Sequence, residues 1–445
     1  MTAGSPSARG APRIRALVAR LLRRQGQSVG RGIRELDGWR AVLVVFGLAL
    51  AFQVVTAALA ARAAGIPISH LGVYFDGHIY IEIAKSFPLP YAAEGRHYLG
   101  HAPGYPAAIA LVRALTPSGL VNWGLAALLA SWISAALSAS AFSVLCRAAG
   151  CPPLWPSLLF VVANPSWLMI GSTAHAEPLA MLFSILAFVA CFQNRLAASV
   201  GALSFATLAR FPALLAGPAL AWGFLVTRRR RDWRTWLALA TPLAAFALLH
   251  LYLFARIPDF LGVAEAHRVF WDARLGAPFA LLQALPALRA DALPPTLLLT
   301  LATLLGYFAA VAIGLRPRER ERWVLPLWVA GIALFHVSLS GEVAVRAFTR
   351  LAVLAWPAAL LVFWRWIGVK LPHAVAAGAC LVLAFASLSY ARAQIEGAVI
   401  GQTRVQTFLR EEIRLLDHDQ PHWVDFARHV RNPPVQAGEG MRDGP

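Results

Sequence analysis

Five long apolar runs constrain this chain more than any other feature of its sequence. They cover residues 41–61, 122–146, 236–255, 296–315 and 373–390. Each run is long enough, or nearly so, to cross the ~30 Å hydrocarbon core of a bilayer as a helix. Apolar residues are consecutive within a run instead of alternating with polar ones, which disfavours a β-barrel. The sequence therefore predicts an all-α polytopic membrane protein.

The charge of the chain supports the same class. Only 14% of the residues are charged and 58% are hydrophobic, whereas soluble domains average about 25% charged residues. A net charge of +18 would suggest nucleic-acid binding in a soluble protein. Here the basic residues cluster between apolar runs, as they do in the cytoplasmic loops of membrane proteins. We therefore expect no nucleic-acid partner, and we expect the basic N-terminus to contact the lipid bilayer.

Basic clusters also set the orientation of the predicted spans. Residues 1–40 carry nine Arg against two acids, so the N-terminal segment 1–39 is placed in the cytoplasm. The basic clusters at 228–234 and 316–322 lie on the same side of the membrane as the N-terminal segment if residues 63–121 form the first extracytoplasmic loop. The transmembrane domain, residues 40–391, is then predicted to hold about eleven spans. They are 40–62, 121–146, 154–172, 177–194, two short helices within 197–226, 235–255, 293–315, 323–340, 351–369 and 373–391.

Several segments are predicted not to form simple spans. The apolar segment 103–115 is too short to cross and is expected to be an interfacial or re-entrant helix. A second helix, 78–87, is expected to lie on the membrane surface. Pro212 breaks the segment 197–226, which places Arg210 at an outer turn. The polar C-terminal tail, residues 392–445, is placed outside, in a multi-pass protein of the inner (plasma) membrane.

Ionisable residues gather at the outer ends of the predicted spans. They are Asp76, His78, Glu82, Arg96, His97, His101, His175, Glu177, Arg210, Glu265, His267, Arg268, Asp272, Arg274, Glu342, Arg346 and Arg350. Ionisable residues at membrane depth are energetically costly and commonly functional. Carboxylates suit a general base, and arginines suit phosphate. A lipid-phosphate substrate would meet both kinds of group in an outward-facing pocket.

The first of these residues also have structural explanations. Asp76 could cap the helix that starts near His78, because Asp is a favoured N-cap residue. Gly77 is expected to allow a sharp turn at that point. His175 is more often a structural histidine than a ligand in such a position. No metal site is predicted, because no His, Asp or Glu pair has zinc-site spacing such as HExxH.

The later residues have structural explanations as well. Glu177 precedes Pro178 and would fit a first-turn acid that interacts with the helix dipole. Arg346 and Arg350 are spaced i, i+4, so they share one face of a helix. Arginines at the end of a span can also extend toward water without any catalytic role.

Six segments, in order along residues 74–361, match the motifs of a known family. They are "YFDGHIYIEIA" (74–84), "APGYPAAIALVRAL" (102–115), "ANPSWLMIGSTAHAEPLAMLFSIL" (163–186), "SFATLARFPALL" (204–215), "AEAHRVFWDARLGAPFALL" (264–282) and "VRAFTRLAVLAWPAALL" (345–361). This ordered set resembles the PIG-V-like mannosyltransferases of the C-type (GT-C) glycosyltransferase superfamily. The chain departs from the family pattern where Phe75 replaces a Trp, "HAEP" replaces "YSES" and Phe211 replaces a Pro.

The resemblance implies a GT-C-type fold and an inverting glycosyltransferase of the cell envelope. Its donor would be a polyprenyl-phosphate sugar, with mannose as the leading candidate, and no separate cofactor is implied. The acceptor would be a hydroxyl of a glycan, a glycolipid or a protein on the extracytoplasmic face. The resemblance assigns Asp76 as the general base. Glu177 would hold sugar hydroxyls or orient His78.

The same resemblance suggests which residues bind substrate. Arg346 and Arg350, followed by Arg210, would stabilise the leaving lipid phosphate. The other substrate-binding candidates are His78, Tyr80, Tyr105, His175 and His267.

Two other functions are compatible with the sequence. Broken helices and intramembrane arginines also occur in transporters and lipid flippases, although the chain shows no internal repeat. A non-catalytic membrane scaffold would tolerate the altered motifs.

Overall fold

The computed structural model describes residues 39–86, 101–117, 120–256, 274–277, 279–281, 294–316, 320–340, 348–367, 371–405, 413 and 416. Within these residues the chain is almost entirely helical, with one pair of two-residue strands. The basic N-terminal segment before Trp39 and most of the tail after Val405 lie outside the described residues.

Eight α-helices form before Arg210 in the described part of the chain. They are α1 (Trp39–Ala64), α2 (Gly77–Lys85), α3 (Gly104–Leu115), α4 (Trp123–Ala148), α5 (Leu154–Val162), α6 (Pro165–Ser172), α7 (Glu177–Phe192) and α8 (Leu196–Ala209). A 3-10 helix, Ile68–Val73, joins α1 to the segment before α2.

The later elements include shorter and irregular pieces. They are a 3-10 helix (Phe211–Ala216), α9 (Gly217–Trp222), a π-helical turn (Gly223–Thr227), α10 (Trp233–Arg256), β1 (Arg274–Leu275), α11 (Pro294–Leu315), a 3-10 turn (Arg320–Trp323), α12 (Val324–Val337), β2 (Leu339–Ser340), a 3-10 turn (Ala352–Ala355), α13 (Trp356–Trp366) and α14 (His373–Val405). The strands pair antiparallel, with Arg274 opposite Ser340.

The helices confirm the predicted all-α polytopic membrane class. Among the described residues, six helical segments are long and apolar enough to cross a membrane, or seven if the bent pair α5–α6 counts as one span. The six are 39–64, 123–148, 233–255, 297–315, 348–366 and 373–402. The other predicted spans correspond to shorter apolar helices.

The segment 197–226 is broken as predicted. Helix α8 ends at Ala209, and Arg210 has extended backbone angles of φ −154° and ψ 114°. Pro212 lies inside the following 3-10 helix, because proline cannot donate the backbone hydrogen bond that would continue an α-helix. The break leaves the Arg210 side chain at the junction of two short helices.

Two helical predictions need correction in detail. The predicted span 154–172 consists of two helices, α5 and α6, that meet at an angle of 69°. Asn164 caps the second helix by accepting a hydrogen bond from the Trp167 amide, and Pro165 follows at its first position. This Asn-Pro pair starts a new helix instead of continuing the first one. The last helix, α14, continues to Val405, beyond the predicted end at 391.

The predicted surface position of the helix after Asp76 is wrong. All residues of α2 from Gly77 to Ala84 are buried within the protein. Buried Glu82 is paired with Lys85, whose amino group lies 2.8 Å from the carboxylate. The hydrophobic repeat of this helix therefore contacts other helices and not the lipid surface.

Small residues allow the central helix to pack closely. Helix α4 is rich in Ala and Ser, and most of its residues are buried. Ser131 donates to the Ile170 carbonyl oxygen and Ser138 donates to that of Pro178. Such small and hydroxyl-bearing residues are the usual means of joining helices in membranes, where apolar packing alone does not distinguish protein from lipid.

The helix directions define two ends of the bundle. Arg228 Nη2 donates to the carbonyl oxygen of Phe192 at the end of α7. Arg365 donates to the Ala149 carbonyl oxygen just after α4. The last turns of α4, α7 and α13 thus lie beside arginines at one end, the basic end. Glu177 lies at the other end of the 16-residue helix α7, roughly 24 Å away at 1.5 Å per residue.

Candidate active site

The segment that carries Asp76 has an unusual backbone. Phe75 has a φ angle of +57°, which is uncommon for an aromatic residue and costs on the order of 1–3 kcal/mol. Gly77 does not supply this conformation, contrary to the sequence expectation. A side chain at Gly77 would collide with the Gly72 carbonyl group, so this glycine is needed for close packing.

Asp76 does not cap the helix that follows it. It occupies the N-cap position of α2, but its carboxylate makes no capping hydrogen bond. Oδ2 instead lies 3.2 Å from Nη2 of Arg350, and the two side chains are 16% and 19% exposed. The structural explanation for Asp76 therefore fails, since the carboxylate is directed into a cluster of charged groups.

Arg350 is the centre of that cluster. Its Nε lies 3.8 Å from Glu177 Oε1, and its Nη1 lies 3.3 Å from His175 Nε2. Arg350 comes from the start of the span Phe348–Trp366, whereas Glu177 begins α7. One guanidinium therefore contacts both candidate carboxylates and one histidine.

A second arginine completes the charge balance. Arg210 Nη2 lies 3.2 Å from Glu177 Oε1, and Arg210 Nη1 donates to the Tyr80 hydroxyl at 3.3 Å. Two carboxylates, Asp76 and Glu177, thus face two guanidiniums in a largely buried site. Charges in such a site are stable only when they are paired.

His175 is held in one tautomer by its neighbours. The Arg350 guanidinium can only donate, so Nε2 of His175 must accept the hydrogen bond between them. Nδ1 then carries the proton and donates to the Thr173 hydroxyl at 2.8 Å. The Thr173 hydroxyl in turn donates to the Met169 carbonyl oxygen at 2.9 Å. This chain of hydrogen bonds fixes the orientation of a neutral imidazole beside Arg350.

The pKa values agree with this arrangement. Burial alone would raise the pKa of Asp76, but the charge of Arg350 holds that pKa well below its ordinary value. Burial lowers the pKa of His175 to about 4, against the attraction of Glu177. Burial lowers the pKa of His78 to about 4 as well. At neutral pH the site therefore holds an ionised Asp76 and two neutral histidines.

Glu177 retains unused hydrogen-bonding capacity. The residue is 1% exposed, and neither carboxylate oxygen has a hydrogen-bond donor among the described residues. Its contacts with Arg210 and Arg350 are ion pairs at 3.2 Å and 3.8 Å. Because buried acceptors are normally satisfied, this carboxylate is suited to receive hydroxyl donors from a ligand.

The aromatic candidates line one side of the cluster. Tyr80 packs edge-on against His101 and Tyr105, with ring centroids 5.0 Å apart in both pairs. The Tyr105 hydroxyl donates to the Ala127 carbonyl oxygen at 2.8 Å. Tyr105 therefore supports Tyr80 from behind, and its contact with a substrate stays a prediction.

The remaining predicted residues are His78, His267 and Arg346. His78 Nδ1 donates to the Val73 carbonyl oxygen at 3.2 Å, an interaction that helps to order the loop before α2. His267 and Arg346 lie outside the described residues. In the part of the chain that the structure describes, no group of three or more His, Cys, Asp or Glu side chains could hold a metal ion.

Two residues of the site are not found by sequence reasoning. Thr173 lies two positions before His175, and a hydroxyl at this spacing is too common a feature to indicate a hydrogen bond. Gln402 accepts a hydrogen bond from the Phe75 amide across 327 positions of sequence. No local pattern could indicate that contact.

Comparisons with known proteins provide no family assignment. No protein-family model matches the chain, and no curated protein matches it. The crystal structure of ArnT from Cupriavidus metallidurans bound to undecaprenyl phosphate aligns at 16% identity and a TM-score of 0.45, over 88% of this chain and 78% of its own. ArnT in the apo state aligns at 16% identity and a TM-score of 0.45, over 85% and 77%.

Proposed function

We propose that this chain is an integral-membrane glycosyltransferase of the GT-C type. It moves a sugar from a polyprenyl-phosphate donor to an acceptor hydroxyl, with inversion at the anomeric carbon. The cluster of Asp76, His175, Glu177, Arg210 and Arg350 is the proposed active site. The ordered motifs favour mannose as the sugar, and a glycan, glycolipid or protein as the acceptor.

The observation that carries this proposal is the contact between Asp76 and Arg350. A carboxylate and a guanidinium lie 3.2 Å apart, and they come from segments more than 270 positions apart in sequence. A purely structural Asp at the start of α2 would cap the helix, but this one does not. Sugar transfer from a lipid phosphate needs a base to accept the acceptor proton and a fixed cation to stabilise the leaving phosphate, and this contact provides both groups.

The proposed reaction is a single displacement. The acceptor oxygen attacks the anomeric carbon and forms the new C–O bond, while its proton moves to the Asp76 carboxylate. The bond between the anomeric carbon and the phosphate oxygen breaks, and its electron pair stays on the phosphate. Arg350 and Arg210 stabilise the charge that develops on the leaving group, because their guanidiniums are already oriented before the reaction.

Arg350 has a second effect in this mechanism. In the unliganded site it pairs with Asp76 and makes that carboxylate a weak base. A donor phosphate competes for the same guanidinium, and this competition reduces the stabilisation of ionised Asp76. Donor binding therefore raises the basicity of Asp76 when the acceptor is to be deprotonated.

The sugar is bound by the acceptor groups of the site. Glu177 has buried carboxylate oxygens without hydrogen-bond donors among the described residues, and a sugar presents several hydroxyl donors. His175 belongs to the same cluster, and Tyr80 lies beside it, in contact with Arg210. We propose that no metal ion is required, because two guanidiniums supply the positive charge that a metal would otherwise provide.

The arrangement of charge along the bundle supports an extracytoplasmic site. The proposed active site lies at the end opposite Arg228 and Arg365, the basic end. Basic loops stay in the cytoplasm. We therefore propose that the active site faces the outer surface of the inner membrane, where an acceptor of the cell envelope would be accessible.

The test compares glycans with and without the proposed base. Mass spectrometry of cell-envelope glycans from a deletion strain should show the loss of one sugar addition. Wild-type protein should restore that sugar and Asp76→Asn should not, although the variant is present in the membrane at equal level. Asp232→Asn is the matched control, because Asp232 caps α10 through Thr235 at the basic end and Asn caps as well. Restoration by Asp76→Asn would refute the catalytic assignment.

Broken helices favour a second candidate, a transporter or lipid flippase. Helices α5 and α6 bend by 69°, and the segment after Arg210 changes from 3-10 to α and π geometry. Discontinuous helices of this kind form substrate sites in transporters. Movement of a labelled polyprenyl-phosphate lipid across vesicles without sugar transfer would favour this candidate over the enzyme.

A further inference from the structure

The conformation of Phe75 must be held by the residues around it. A φ of +57° is unfavourable for an aromatic residue and persists only when the surrounding structure enforces it. Its contacts among the described residues include one with its ring and one with its backbone amide. Its ring centroid lies 5.2 Å from that of His175, and its amide donates to Gln402 Oε1 at 3.0 Å.

Gln402 is placed by a buried stripe on an otherwise exposed helix. Much of α14 is exposed, but Ala391, Ile395 and Val399 are buried at i, i+4 and i+8. Gln402 follows at i+11, which lies on the same face of a helix with 3.6 residues per turn. The stripe therefore directs the Gln402 amide toward the loop that carries Asp76.

The same face of α14 belongs to the core beneath that loop. Ile395 and Val399 lie in one hydrophobic cluster with Leu71, Val73 and Tyr74, the residues just before Phe75. The carbonyl oxygen of Leu416 accepts from the Trp123 amide at the start of α4. The C-terminal part of the chain is thus packed against the segment that leads to the proposed base.

We propose that Gln402 is a positioning residue that holds the Phe75 backbone, and through it directs the Asp76 carboxylate toward Arg350. The catalytic part of this inference rests on the proposed function. The structural part is independent of that function, because the hydrogen bond between Gln402 and the Phe75 amide can be tested without measuring enzyme activity. The role belongs to a residue that contacts neither charged group directly.

The chain offers a matched pair of substitutions. Gln402→Met removes the acceptor oxygen and keeps the length of the side chain. Gln394→Met makes the same change about two turns earlier on α14, at another partly buried position. Phe75→Gly provides the epistasis test, because glycine adopts a positive φ without strain and should not require Gln402.

The first arm measures amide hydrogen exchange of the peptide 71–80 in purified full-length protein. Gln402→Met should increase exchange in this peptide, and Gln394→Met should leave it at the wild-type rate. Equal exchange in wild type and Gln402→Met would overturn the proposal, and so would an equal increase in both variants. This arm gives a result even if the protein has no transferase activity.

The second arm measures transfer from polyprenyl-phosphate mannose to a cell-envelope glycolipid extract. Gln402→Met should lower kcat roughly tenfold to a hundredfold with KM for the donor within twofold, since a displacement of about 1 Å at a reacting group costs up to about 10²-fold. In the Phe75→Gly background the same substitution should change kcat less than twofold. An unchanged kcat in Gln402→Met, or the same loss in both backgrounds, would overturn the positioning role. If wild-type protein shows no transfer with any envelope extract, the proposed function fails. The hydrogen-exchange measurement alone then tests whether Gln402 holds the Phe75 backbone.

Discussion

Arg350 contacts Asp76 and His175 at the same time, with Nη2 3.2 Å from Asp76 Oδ2 and Nη1 3.3 Å from His175 Nε2. The carboxylate is acceptor-only when ionised, and the imidazole accepts because its other nitrogen donates to Thr173. The two contacts fix the plane of the guanidinium. The contact with Asp76 also makes Arg350 the largest influence that lowers the pKa of that carboxyl group, and this dependence can be measured.

Arg350→Gln should move the acid limb of the pH–rate profile upward. Burial raises the pKa of Asp76, and the Arg350 charge is the largest influence that lowers it, so removal of the guanidinium should raise this pKa. A base with a raised pKa becomes protonated at higher pH, and activity is then lost earlier on acidification. We also expect kcat/KM to fall by about 10²-fold, as for other preorganised groups at a developing charge. Arg392→Gln, an exposed arginine on α14, is the control, and an unchanged acid limb in Arg350→Gln would contradict the proposed pairing.

Glu177→Gln should destabilise the protein as well as reduce its activity. The substitution leaves Arg210 and Arg350 with one carboxylate fewer in a largely buried site. Removing one partner of a buried ion pair costs roughly 3–5 kcal/mol, which should lower the Tm in detergent. The double variant Glu177→Gln with Arg210→Met should recover part of that loss, because it no longer leaves an unpaired charge. Additive losses would show that the two residues are not coupled.

The protein should lose stability over two successive pH ranges as the pH is lowered. The pKa values of His175 and His78 are lowered from 6.5 to about 4 in the folded state. Between these values the unfolded chain binds more protons than the folded one, so stability falls as pH decreases from 6.5 to about 4. Asp76, whose folded pKa is lowered from 3.8, adds a further loss below that pH. His175→Gln should reduce the dependence of Tm on pH in the upper window, and an unaltered slope would contradict the burial of a neutral imidazole.

Thr173→Val should weaken catalysis without disrupting the fold. The variant keeps the size of the side chain but removes the hydroxyl that accepts from His175 Nδ1. One hydrogen bond is worth about 1 kcal/mol, or roughly a fivefold loss in kcat/KM. Thr173→Ser keeps the hydroxyl and should restore most of the rate. Equal rates in the Val variant and wild type would indicate that the tautomer of His175 does not matter.

Chelation should leave the activity unchanged. EDTA treatment followed by desalting should retain the full transfer rate, because Arg210 and Arg350 are the proposed source of positive charge. A loss that Mg²⁺ or Mn²⁺ restores would show that the site uses a metal in addition to its arginines.

The membrane class and most of the span positions are determined by the sequence alone. Apolar runs longer than the bilayer core have few folded alternatives, because a helix satisfies all its backbone hydrogen bonds within one segment. The break at Arg210 follows from Pro212 for the same local reason, since proline lacks the amide proton that a continuous helix requires. Composition and local backbone chemistry are enough for these conclusions.

The contacts of the site are decided only by tertiary structure. Sequence spacing identifies Asp76, Glu177, Arg210 and Arg350 as ionisable residues near span ends, but not which carboxylate meets which arginine. Those pairings depend on how separate helices pack, and helix packing is a collective property of many small contacts. For the same reason, α2 has the hydrophobic repeat of a surface helix and yet is buried. Gln402 is the extreme case, because only the packing of α14 brings it to Phe75 from 327 positions away.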